Sequence, residues 1–251
     1  MKYTYFISDV HIGVRRTEEE NKRLAIFLNF LEQIQEYAKS IFFVGDLFDF
    51  WFEYKYVIPK AHFIVLHSLA KLREKGIDIT YLAGNHDFWL GSFLKQELGI
   101  DTYQDTWEGE IDGKNFFLFH GDGVAKRDVG YRFMKRIFRS KLTIWLYRLL
   151  HPDFGIPLAH KVSGTSRSYT KSINLKDEKD YLDFAREKFK NGHDFVLMGH
   201  RHLPLYHEDG DKVYINLGDW LEKYTYARFD GIKLELLTHE IPASSFRSSE
   251  S

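Results

Sequence analysis

Residues 41–49 read Ile-Phe-Phe-Val-Gly-Asp-Leu-Phe-Asp, an apolar run that stops at a glycine and is followed at once by carboxylates. Consecutive β-branched and aromatic residues between polar neighbours are typical of a short buried strand. Gly45 allows a sharp backbone turn after that strand, and Asp46 and Asp49 follow the turn. The segment therefore predicts a strand whose end presents acidic side chains.

The same order, a β-forming run followed directly by residues that can bind a metal ion, recurs along the chain. The sites are Asp9-Val10-His11, Gly45-Asp46-Leu47-Phe48-Asp49, Gly84-Asn85-His86-Asp87, His120-Gly121-Asp122 and Gly199-His200-Arg201-His202. Ligands of sheet-based folds gather at the carboxyl ends of strands, so motifs far apart in sequence can converge there. We therefore expect these side chains to form one site.

Strand-like runs alternate with helical periodicity in the first part of the chain. The main runs are 3–7, 41–44, 79–82, 116–119, 195–198 and 213–216. Segments 18–38 and 59–75 have the spacing of helices, which predicts an α/β fold with sheets covered by helices. Turn signals at 208–211 and 230–231 indicate hairpins and a more β-rich final third.

Bulk composition limits the class of protein. The 251 residues fit one large domain, and 44% hydrophobic with 28% charged residues is ordinary for a globular chain. The formal net charge of -1 gives no signature of a polyanion-binding protein. Cys is absent, which excludes disulfides and thiolate ligands and suits a reducing compartment. Because neither a signal peptide nor an apolar stretch of ~20 residues is present, we expect a cytoplasmic or membrane-surface protein.

Residues 124–176 differ in charge from the rest of the chain. They contain twelve Lys and Arg residues against two acids, a net charge of +10 (12 − 2), which leaves −11 (−1 − 10) for the remainder. Within them, 131–150 reads as a helix or a helix pair whose apolar residues are interleaved with basic ones. We therefore expect a single domain over 1–243 with a basic helical insertion at 124–176, and a disordered Ser-rich tail at 244–251.

Three interpretations of this insertion remain open. It is an amphipathic helix packed on the body, a nucleic-acid surface, or a lid whose apolar face holds acyl chains while its cations meet phosphates or an anionic membrane. The acidic remainder and the lack of a nucleic-acid-binding motif disfavour the second, so we expect no nucleic-acid partner, and no protein partner is indicated. For a lid, the candidate substrate contacts are Asp128, Arg132, Ser166, Arg167 and Lys171.

The mixture of imidazole, carboxylate and amide side chains indicates which metal ions the site would take. It suits Mn²⁺ first, with Fe or Zn²⁺ as alternatives, and is too rich in nitrogen for a Ca²⁺ or purely Mg²⁺ site. Alternate residues of an extended segment share a face, so the side chains of a D-x-H motif and an H-x-H motif can bind one ion together. Asp46 is the natural carboxylate to bridge a second ion about 3.5–4 Å away, where an acidified water would attack phosphorus.

The ordered motifs D-x-H, G-D-x-x-D, G-N-H-D, H-G-D and G-H-x-H over residues 9–202 resemble the calcineurin-like metallophosphoesterase superfamily. The resemblance implies a four-layer αββα sandwich in which two metal ions hydrolyse a phosphate ester or anhydride. Carried over by motif position, the first ion is held by Asp9, His11, Asp46 and His202, and the second by Asp46, Asn85, His120 and His200. In that superfamily the His of G-N-H-D, here His86, stabilises the leaving group or the attacked phosphate, and Asp49 or Asp87 would orient it.

Further stretches narrow the resemblance. Residues 46–51, 120–131, the basic insertion and 217–220 are similar to the UDP-2,3-diacylglucosamine hydrolase family of lipid A synthesis, which splits a diphosphate into UMP and a lipid monophosphate. The resemblance implies a UDP-linked diacyl sugar lipid as substrate and a cytoplasmic enzyme that is peripheral on the inner face of the cell membrane. One position departs from that family, which usually has Arg where His86 stands, whereas the wider superfamily has His.

Two other functions stay open as alternatives. The first is a phosphodiesterase or phosphomonoesterase for a soluble nucleotide or phosphoprotein, which would work without detergent. The second is a non-enzymatic scaffold that uses the fold as an interaction platform. Such a scaffold is expected to lose ligands or the motif histidine, and here the set is intact, which disfavours it.

Overall fold

Two β-sheets lie face to face and carry helices on their outer surfaces. The computed structural model describes residues 2–13, 17–159 and 175–241. The strands are β1 (Tyr3–Ile7), β2 (Ala38–Val44), β3 (Asp78–Leu82), β4 (Asp101–Tyr103), β5 (Thr106–Ile111), β6 (Lys114–Phe119), β7 (Phe195–Met198), β8 (Leu205–Asp209), β9 (Lys212–Asn216), β10 (Thr225–Phe229) and β11 (Leu234–Thr238). The helices are α1 (Glu18–Ile34), α2 (Phe63–Glu74), α3 (Phe93–Leu98), α4 (Val129–Phe138), α5 (Lys141–Arg148), α6 (152–159) and α7 (Leu175–Lys190).

The order of the strands brings the motif loops to one edge. The first sheet has the order β11-β10-β1-β2-β3-β4, in which β1 to β4 are parallel and β10 and β11 are antiparallel additions. The second sheet has the order β5-β6-β7-β9-β8, in which β6, β7 and β9 are parallel. The predicted ligand motifs follow β1, β2 and β3 of the first sheet and β6 and β7 of the second. Because parallel strands end at the same edge, all five loops lie together.

The alternation of side chains along each strand fills the space between the sheets. Phe6 and Phe42 of the first sheet face Phe116 of the second, and the ring centroid of Phe6 is 5.3 Å from that of Phe42 and 5.4 Å from that of Phe116. The neighbouring side chains Tyr5 and Phe43 point to the other face of the first sheet, where they pack beneath α1 and α2. Truncation of one such buried Phe to Ala typically costs about 3–5 kcal/mol of stability.

Helix α7 covers the outer face of the second sheet. Its buried side chains Tyr181 and Phe189 pack with Phe117 and Tyr214 of that sheet. Helices α1, α2 and α3 cover the opposite outer face. The layers therefore run helix, sheet, sheet, helix, and the predicted four-layer αββα sandwich is confirmed.

Helix α1 ends earlier than the sequence periodicity predicted. Thr17 and Glu20 form a capping box at its start, with 3.0 Å from Thr17 N to Glu20 Oε2 and 3.2 Å from Glu20 N to Thr17 Oγ1. The predicted helix ran to residue 38, but α1 ends at Ile34, and Ala38 begins β2 and pairs with Tyr3. Pairing within the sheet overrides the helical spacing at this boundary. Both predicted hairpins are present, at the β8–β9 and β10–β11 connections.

The predicted helix or helix pair at 131–150 is a pair. Helices α4 and α5 are separated at Arg139 and Ser140, and Ser140 Oγ accepts a hydrogen bond of 3.1 Å from Thr143 N at the start of α5. Helix α6 follows, and we call residues 129–159 the α4–α6 segment. Within the described ranges, no helix has the length and apolar character that a membrane crossing requires. Residues 160–174 of the predicted insertion and the predicted disordered tail at 244–251 lie outside the described residues.

Candidate metal centre

The backbone of several predicted ligands is left-handed where the motif loops meet. Asp9, His11, Asp46, His200 and His202 have φ angles of 55°, 52°, 55°, 68° and 57°. This conformation costs roughly 1–2 kcal/mol for a residue that carries a Cβ atom, and such strain concentrates at functional sites. The strained backbone aims these side chains in directions that a regular strand end does not provide.

Asp9, His11 and His202 form the first half of a buried cluster. Asp9 Oδ1 lies 3.6 Å from His11 Nε2 and 3.3 Å from His202 Nε2, and the two Nε2 atoms are 3.3 Å apart. Asp9 Oδ1 is buried and has no hydrogen-bond partner among the described residues. A cation bound between these atoms would satisfy the carboxylate oxygen and both imidazole nitrogens.

Asp46, Asn85, His120 and His200 form the second half of the cluster. His120 Nε2 lies 3.3 Å from Asp46 Oδ2 and 3.0 Å from Asn85 Oδ1. Asn85 Oδ1 lies 2.8 Å from His200 Nδ1. Asp46 Oδ2 is also 3.7 Å from Nε2 of His11 in the first half. Asp46 therefore stands between the two halves, in the position predicted for a bridging carboxylate.

The converging donor atoms suit divalent metal ions. Ligand atoms that bind one ion at about 2.0–2.2 Å lie roughly 3–3.5 Å from one another, and the separations within the cluster run from 2.8 to 3.7 Å. Among the residues that the structure describes, three overlapping groups of His and Asp side chains have the spacing to hold an ion, and every group contains Asp9 or Asp46. All seven predicted ligands thus meet in space, and His, Asp and Asn side chains together can hold divalent cations.

Neighbouring groups fix one oxygen of each carboxylate and leave the other facing the cluster. Asp9 Oδ2 lies 2.6 Å from Ser8 Oγ and accepts a hydrogen bond of 2.8 Å from the backbone N–H of His200. Asp46 Oδ1 accepts a hydrogen bond of 2.9 Å from the backbone N–H of His86. The bond between Asp9 and His200 also joins the first sheet to the second.

Partners behind the imidazole rings orient two of the histidines. His120 Nδ1 lies 2.9 Å from the carbonyl oxygen of Val44, so Nδ1–H donates there and Nε2 faces the cluster. His202 Nδ1 lies 3.7 Å from Asp219 Oδ2, a buried carboxylate that was not among the predicted site residues. Carboxylates and carbonyls in this position keep a metal-binding ring in the correct orientation.

The buried charges of the cluster shift one another's pKa. Burial would raise the pKa of Asp9 and Asp46, but the surrounding histidines hold both values well below their usual range. Burial would lower the pKa of His11 and His120, but nearby carboxylates raise both to about 10. Burial and the charge of His120 lower the pKa of His200 to about 4. Without cations, protons on His11 and His120 neutralise the carboxylates, and bound cations would replace those protons.

His86 lies at the edge of the cluster with Asp49 behind it. His86 Nε2 is 4.0 Å from Asp46 Oδ2, and its Nδ1 is 3.7 Å from Asp49 Oδ1 and 3.3 Å from the Asp49 carbonyl oxygen. Asp49 Oδ1 also lies 3.5 Å from Nδ1 of His11. Asp49 is therefore placed to orient both rings.

Asp87 braces the loops that carry the ligands. Its carboxylate accepts hydrogen bonds from the backbone N–H groups of Gly84 (2.8 Å), Asp46 (3.3 Å) and Phe48 (3.2 Å), and from the Tyr81 hydroxyl. Burial and the nearby Asp46 raise the pKa of Asp87 to about 6. Asp87 therefore joins the loop after β2 to the loop after β3.

The two predicted substrate contacts that the structure describes, Asp128 and Arg132, are not part of the cluster. Asp128 is half-buried at the start of α4. The Arg132 guanidinium donates to the backbone carbonyls of Gly123 (2.9 Å), Ala125 (2.9 Å) and Lys126 (3.2 Å), so it holds the loop that follows β6. Ser166, Arg167 and Lys171 lie outside the described residues.

A cleft of about 310 Å³ opens beside the cluster, and most of the residues in its walls were not among the predicted site residues. The body contributes Asn85, His86 and the aromatic side chains Phe50, Phe88 and Trp89, and the α4–α6 segment contributes Tyr131, Met134, Lys135, Phe138, Arg139, Thr143, Tyr147, Leu158 and Ala159. Tyr131 and Lys135 of α4 and Arg139, the residue that caps its carboxyl end, follow one another at intervals of four residues, so their side chains lie on one side of the helix. That spacing is the sequence signal that could have identified them.

Three contacts fix α4 beside the cluster of predicted ligands. We call this cluster, which consists of Asp9, His11, Asp46, Asn85, His120, His200 and His202, the metal-ligand cluster. Tyr131 donates a hydrogen bond of 2.7 Å to Asp122 Oδ2, and Lys135 Nζ lies 2.8 Å from the same oxygen. Burial would raise the pKa of Asp122, but Lys135 lowers it. Trp89 Nε1 donates a hydrogen bond of 2.9 Å to the carbonyl of Phe138 at the end of the helix. Because Asp122 lies two residues after His120, the wall of the cleft is tied directly to a ligand loop.

Comparison with known proteins identifies the class that this fold and cluster define. Residues 3–204 match the calcineurin-like phosphoesterases, and the chain belongs to that family of hydrolases. Within it, the UDP-2,3-diacylglucosamine hydrolase of Porphyromonas gingivalis is 38% identical over 260 residues, which cover 94% of this chain and 97% of that protein. The proteins of the same name from Aeromonas salmonicida (30% identical, 88% of this chain and 87% of that protein) and Haemophilus influenzae (29%, 89% and 93%) are also similar. Membership of a hydrolase family removes the support for a non-enzymatic scaffold.

Proposed function

We propose that this chain hydrolyses the diphosphate of UDP-2,3-diacylglucosamine to UMP and 2,3-diacylglucosamine 1-phosphate, a step of lipid A biosynthesis. The observation that carries the proposal is the cleft, because it begins at Asn85 and His86 beside the cluster and continues between apolar walls. A substrate in which a diphosphate is joined to a sugar that carries acyl chains matches that succession of surfaces. The names of the three relatives support the same substrate.

Two divalent cations complete the proposed reaction centre, with Mn²⁺ as the first choice and Fe or Zn²⁺ as alternatives. We assign Asp9, His11, Asp46 and His202 to the first ion and Asp46, Asn85, His120 and His200 to the second. Bound ions of this kind supply Lewis-acid polarisation of a phosphoryl oxygen and lower the pKa of a water molecule. The role of the protein is to fix the ligands, and the bonds from Ser8 and His200 to Asp9 do so.

His86 is proposed to act on the phosphate that is attacked. Its ring lines the cleft, and its Nε2 lies 4.0 Å from Asp46 Oδ2 at the edge of the cluster. From there it can donate a hydrogen bond to a phosphoryl oxygen or a proton to the leaving oxygen. Asp49, 3.7 Å from Nδ1, is proposed to keep the ring in the orientation that directs Nε2 to the substrate.

The α4–α6 segment is proposed to act as the lid that holds the acyl chains. Trp89 of the body packs against Tyr147 of α5, with ring centroids 4.6 Å apart, and Phe50 lies 6.0 Å from both rings. These rings, with Met134 of α4, give the cleft an apolar lining. Each CH₂ group of an acyl chain buried there contributes about 0.8 kcal/mol to binding.

An anionic membrane surface is the proposed partner of the same segment. Many of its apolar side chains are exposed: Val129, Phe133, Ile137, Leu142, Trp145, Leu146, Leu149 and Phe154. Lys and Arg residues alternate with them in the sequence. Helices with exposed apolar and cationic side chains bind at the interface of anionic lipids. We propose that the enzyme is peripheral on the cytoplasmic face of the membrane, where its lipid substrate resides.

The remaining substrate contacts stay as proposals. Asp128, Ser166, Arg167 and Lys171 are proposed to contact the head group of the substrate. Arg132 is also proposed as a substrate contact, and its three hydrogen bonds to backbone carbonyls would hold it and the loop between β6 and α4 in place.

Release of UMP tests the proposed function. The protein, reconstituted with Mn²⁺, is incubated with UDP-2,3-diacylglucosamine in detergent micelles, and both products are identified by mass spectrometry. We expect UMP and the lipid monophosphate in equal amounts, and a loss of activity of about 10²–10³-fold in His86→Ala. His67→Ala is the control, because His67 is exposed on α2, and this variant should keep full activity. A wild-type protein that hydrolyses soluble phosphate esters but leaves the lipid intact would overturn the proposal.

A further inference from the structure

The cleft has a cationic wall next to the metal-ligand cluster. Among the described residues that line it, Lys135 and Arg139 supply the lysine and arginine side chains. Lys135 of α4 and Arg139, the residue that caps this helix, lie about one turn apart, and their side chains are only 17% and 20% exposed. Both charges are therefore largely withdrawn from water, on the same side of the helix.

The side chains of Lys135 and Arg139 share one partner, the carboxylate of Asp105, which is exposed to water. Asp105 Oδ1 lies 3.1 Å from Lys135 Nζ and 3.3 Å from Arg139 Nη1, and the Asp105 side chain is 59% exposed. Exposed ion pairs of this kind are weak, since solvent competes for both partners. Lys135 also contacts the buried Asp122, which keeps the ammonium group in place. An anion that carries more charge than one carboxylate can therefore displace Asp105, above all from Arg139.

Arg139 lies over the loop that presents Asn85 and His86. Its Nη2 is 3.4 Å from the carbonyl oxygen of Gly84, and its guanidinium carbon lies 5.6 Å from the centre of the Phe88 ring. Its Nε is buried and makes no hydrogen bond within the described part of the chain. Its Nη1 also donates a hydrogen bond of 2.8 Å to the carbonyl oxygen of Gln104, which holds the guanidinium in place. Displacement of Asp105 would therefore free an N–H donor of Nη1 beside the residues that link the cluster to the cleft.

Binding of a diphosphate in the cleft requires the positive charge of Lys135 and Arg139. One phosphate bound at the cluster leaves its neighbour in a cleft whose walls are otherwise mainly apolar, and an anion buried there without a cation is strongly unfavourable. Arginine is the side chain best suited to bind phosphate oxygens through two parallel hydrogen bonds. We propose that Arg139, supported by Lys135, binds the second phosphate of the substrate, the one that is not held at the metal-ligand cluster. The inference rests on the proposed function.

The contribution of the second phosphate can be isolated by comparing two nucleotides. UMP has one phosphate, and α,β-methylene-UDP is a non-hydrolysable nucleotide with two, so the ratio of their affinities reports the second group. Binding of both to the Mn²⁺-loaded protein is measured by calorimetry. In Arg139→Gln we expect the affinity for α,β-methylene-UDP to fall about tenfold, while the affinity for UMP changes much less.

Two further variants make the test specific. Arg136→Gln removes the same charge from an exposed position of the same helix outside the cleft, and should leave both affinities unchanged. Asp105→Asn removes the competing carboxylate from an exposed loop, and should increase the affinity for α,β-methylene-UDP about two- to threefold. Because Asp105→Asn acts in the opposite direction, it keeps the test valid if Arg139→Gln lowers the melting temperature.

Each outcome decides one of the two proposals. An Arg139→Gln protein that keeps its melting temperature, its metal content and its affinity for both nucleotides overturns the inference and leaves the proposed function intact. An equal loss in Arg136→Gln, or no gain in Asp105→Asn, also overturns the inference. A wild-type protein that binds neither nucleotide contradicts the proposed function itself.

Discussion

The metal-ligand cluster and the α4–α6 segment are stabilised in opposite ways. In the cluster, side chains such as Asp9 and Asp46 are buried, and their orientation is set by left-handed backbone and by hydrogen bonds from neighbouring loops. In the α4–α6 segment, side chains such as Phe133 and Trp145 are exposed, and a few contacts attach α4 to the body. The difference supports the proposal that loops at the ends of the sheets hold the reaction centre, whereas the attached helices select the substrate.

Replacement of the shared carboxylate should have the largest effect. Asp46→Asn keeps the size of the side chain and an oxygen that can accept from His86 N, but it removes the charge between the two halves of the cluster. We expect kcat to fall about 10³-fold or more, with less bound metal. UMP release and elemental analysis measure the two effects. Near-normal turnover with two ions bound would show that Asp46 is not the bridge.

Removal of the metal ions should lower stability without unfolding the protein. Because nearby carboxylates raise the pKa of His11 and His120 to about 10, we expect both rings to carry protons and balance the buried carboxylates in the metal-free protein. We therefore expect the fold to persist without the ions. Each ion present at about a hundred times its Kd adds about 2.7 kcal/mol, which corresponds to a Tm higher by roughly 5–10 °C for each ion bound. Thermal unfolding before and after chelation, and again after Mn²⁺ is restored, measures the difference. The same Tm in all three samples would contradict the assignment of a metal site.

A charge in the apolar cleft should affect long acyl chains most. Met134 lines the cleft from α4 and is partly exposed, so Met134→Asp is expected to fold. The carboxylate would be desolvated by a bound chain, and we expect KM to rise about tenfold for the natural lipid and less as the chains are shortened. Met134→Leu, which conserves volume, is the matched control. A KM increase that is independent of chain length would show that the acyl chains bind elsewhere.

Loss of one exposed aromatic side chain should produce the smallest effect. Trp145 on α5 and Tyr37 between α1 and β2 are each 56% exposed, but only Trp145 lies in the proposed membrane surface. Trp145→Ser should change stability by less than about 0.5 kcal/mol and weaken sedimentation with anionic vesicles several-fold. Tyr37→Ser should leave vesicle binding unchanged. Equal binding by the two variants would remove the support for this docking surface.

The ligand loops were predictable because their signals are local. The signal for each loop is an apolar run followed directly by a turn residue and by a residue that can bind a metal ion. Segments 41–49 and 195–202 contain all three. Helix α7 was missed because charged residues dominate its sequence. Its buried side chains Tyr181, Ala185 and Phe189 are nevertheless spaced by four residues, which is a readable helical signal.

The cleft was not predictable in the same way because its walls come together only through tertiary contacts. The basic and apolar residues of α4 were recognised, but their position depends on the bonds from Trp89 to the Phe138 carbonyl and from Lys135 to Asp122. Strand β5 was missed for a related reason. It is a half-exposed strand at a sheet edge with two glutamates and a glycine, so pairing with β6 rather than periodicity defines it.

The ligand loops are divided between the two sheets. Asp9, Asp46 and Asn85 follow strands of the first sheet, and His120, His200 and His202 follow strands of the second. Two cations bound among these side chains would cross-link the two sheets at the edge where their loops meet. The reaction centre would then also stabilise the contact between the two sheets. Because its ligands come from both sheets, it would form only after both sheets have folded and packed together.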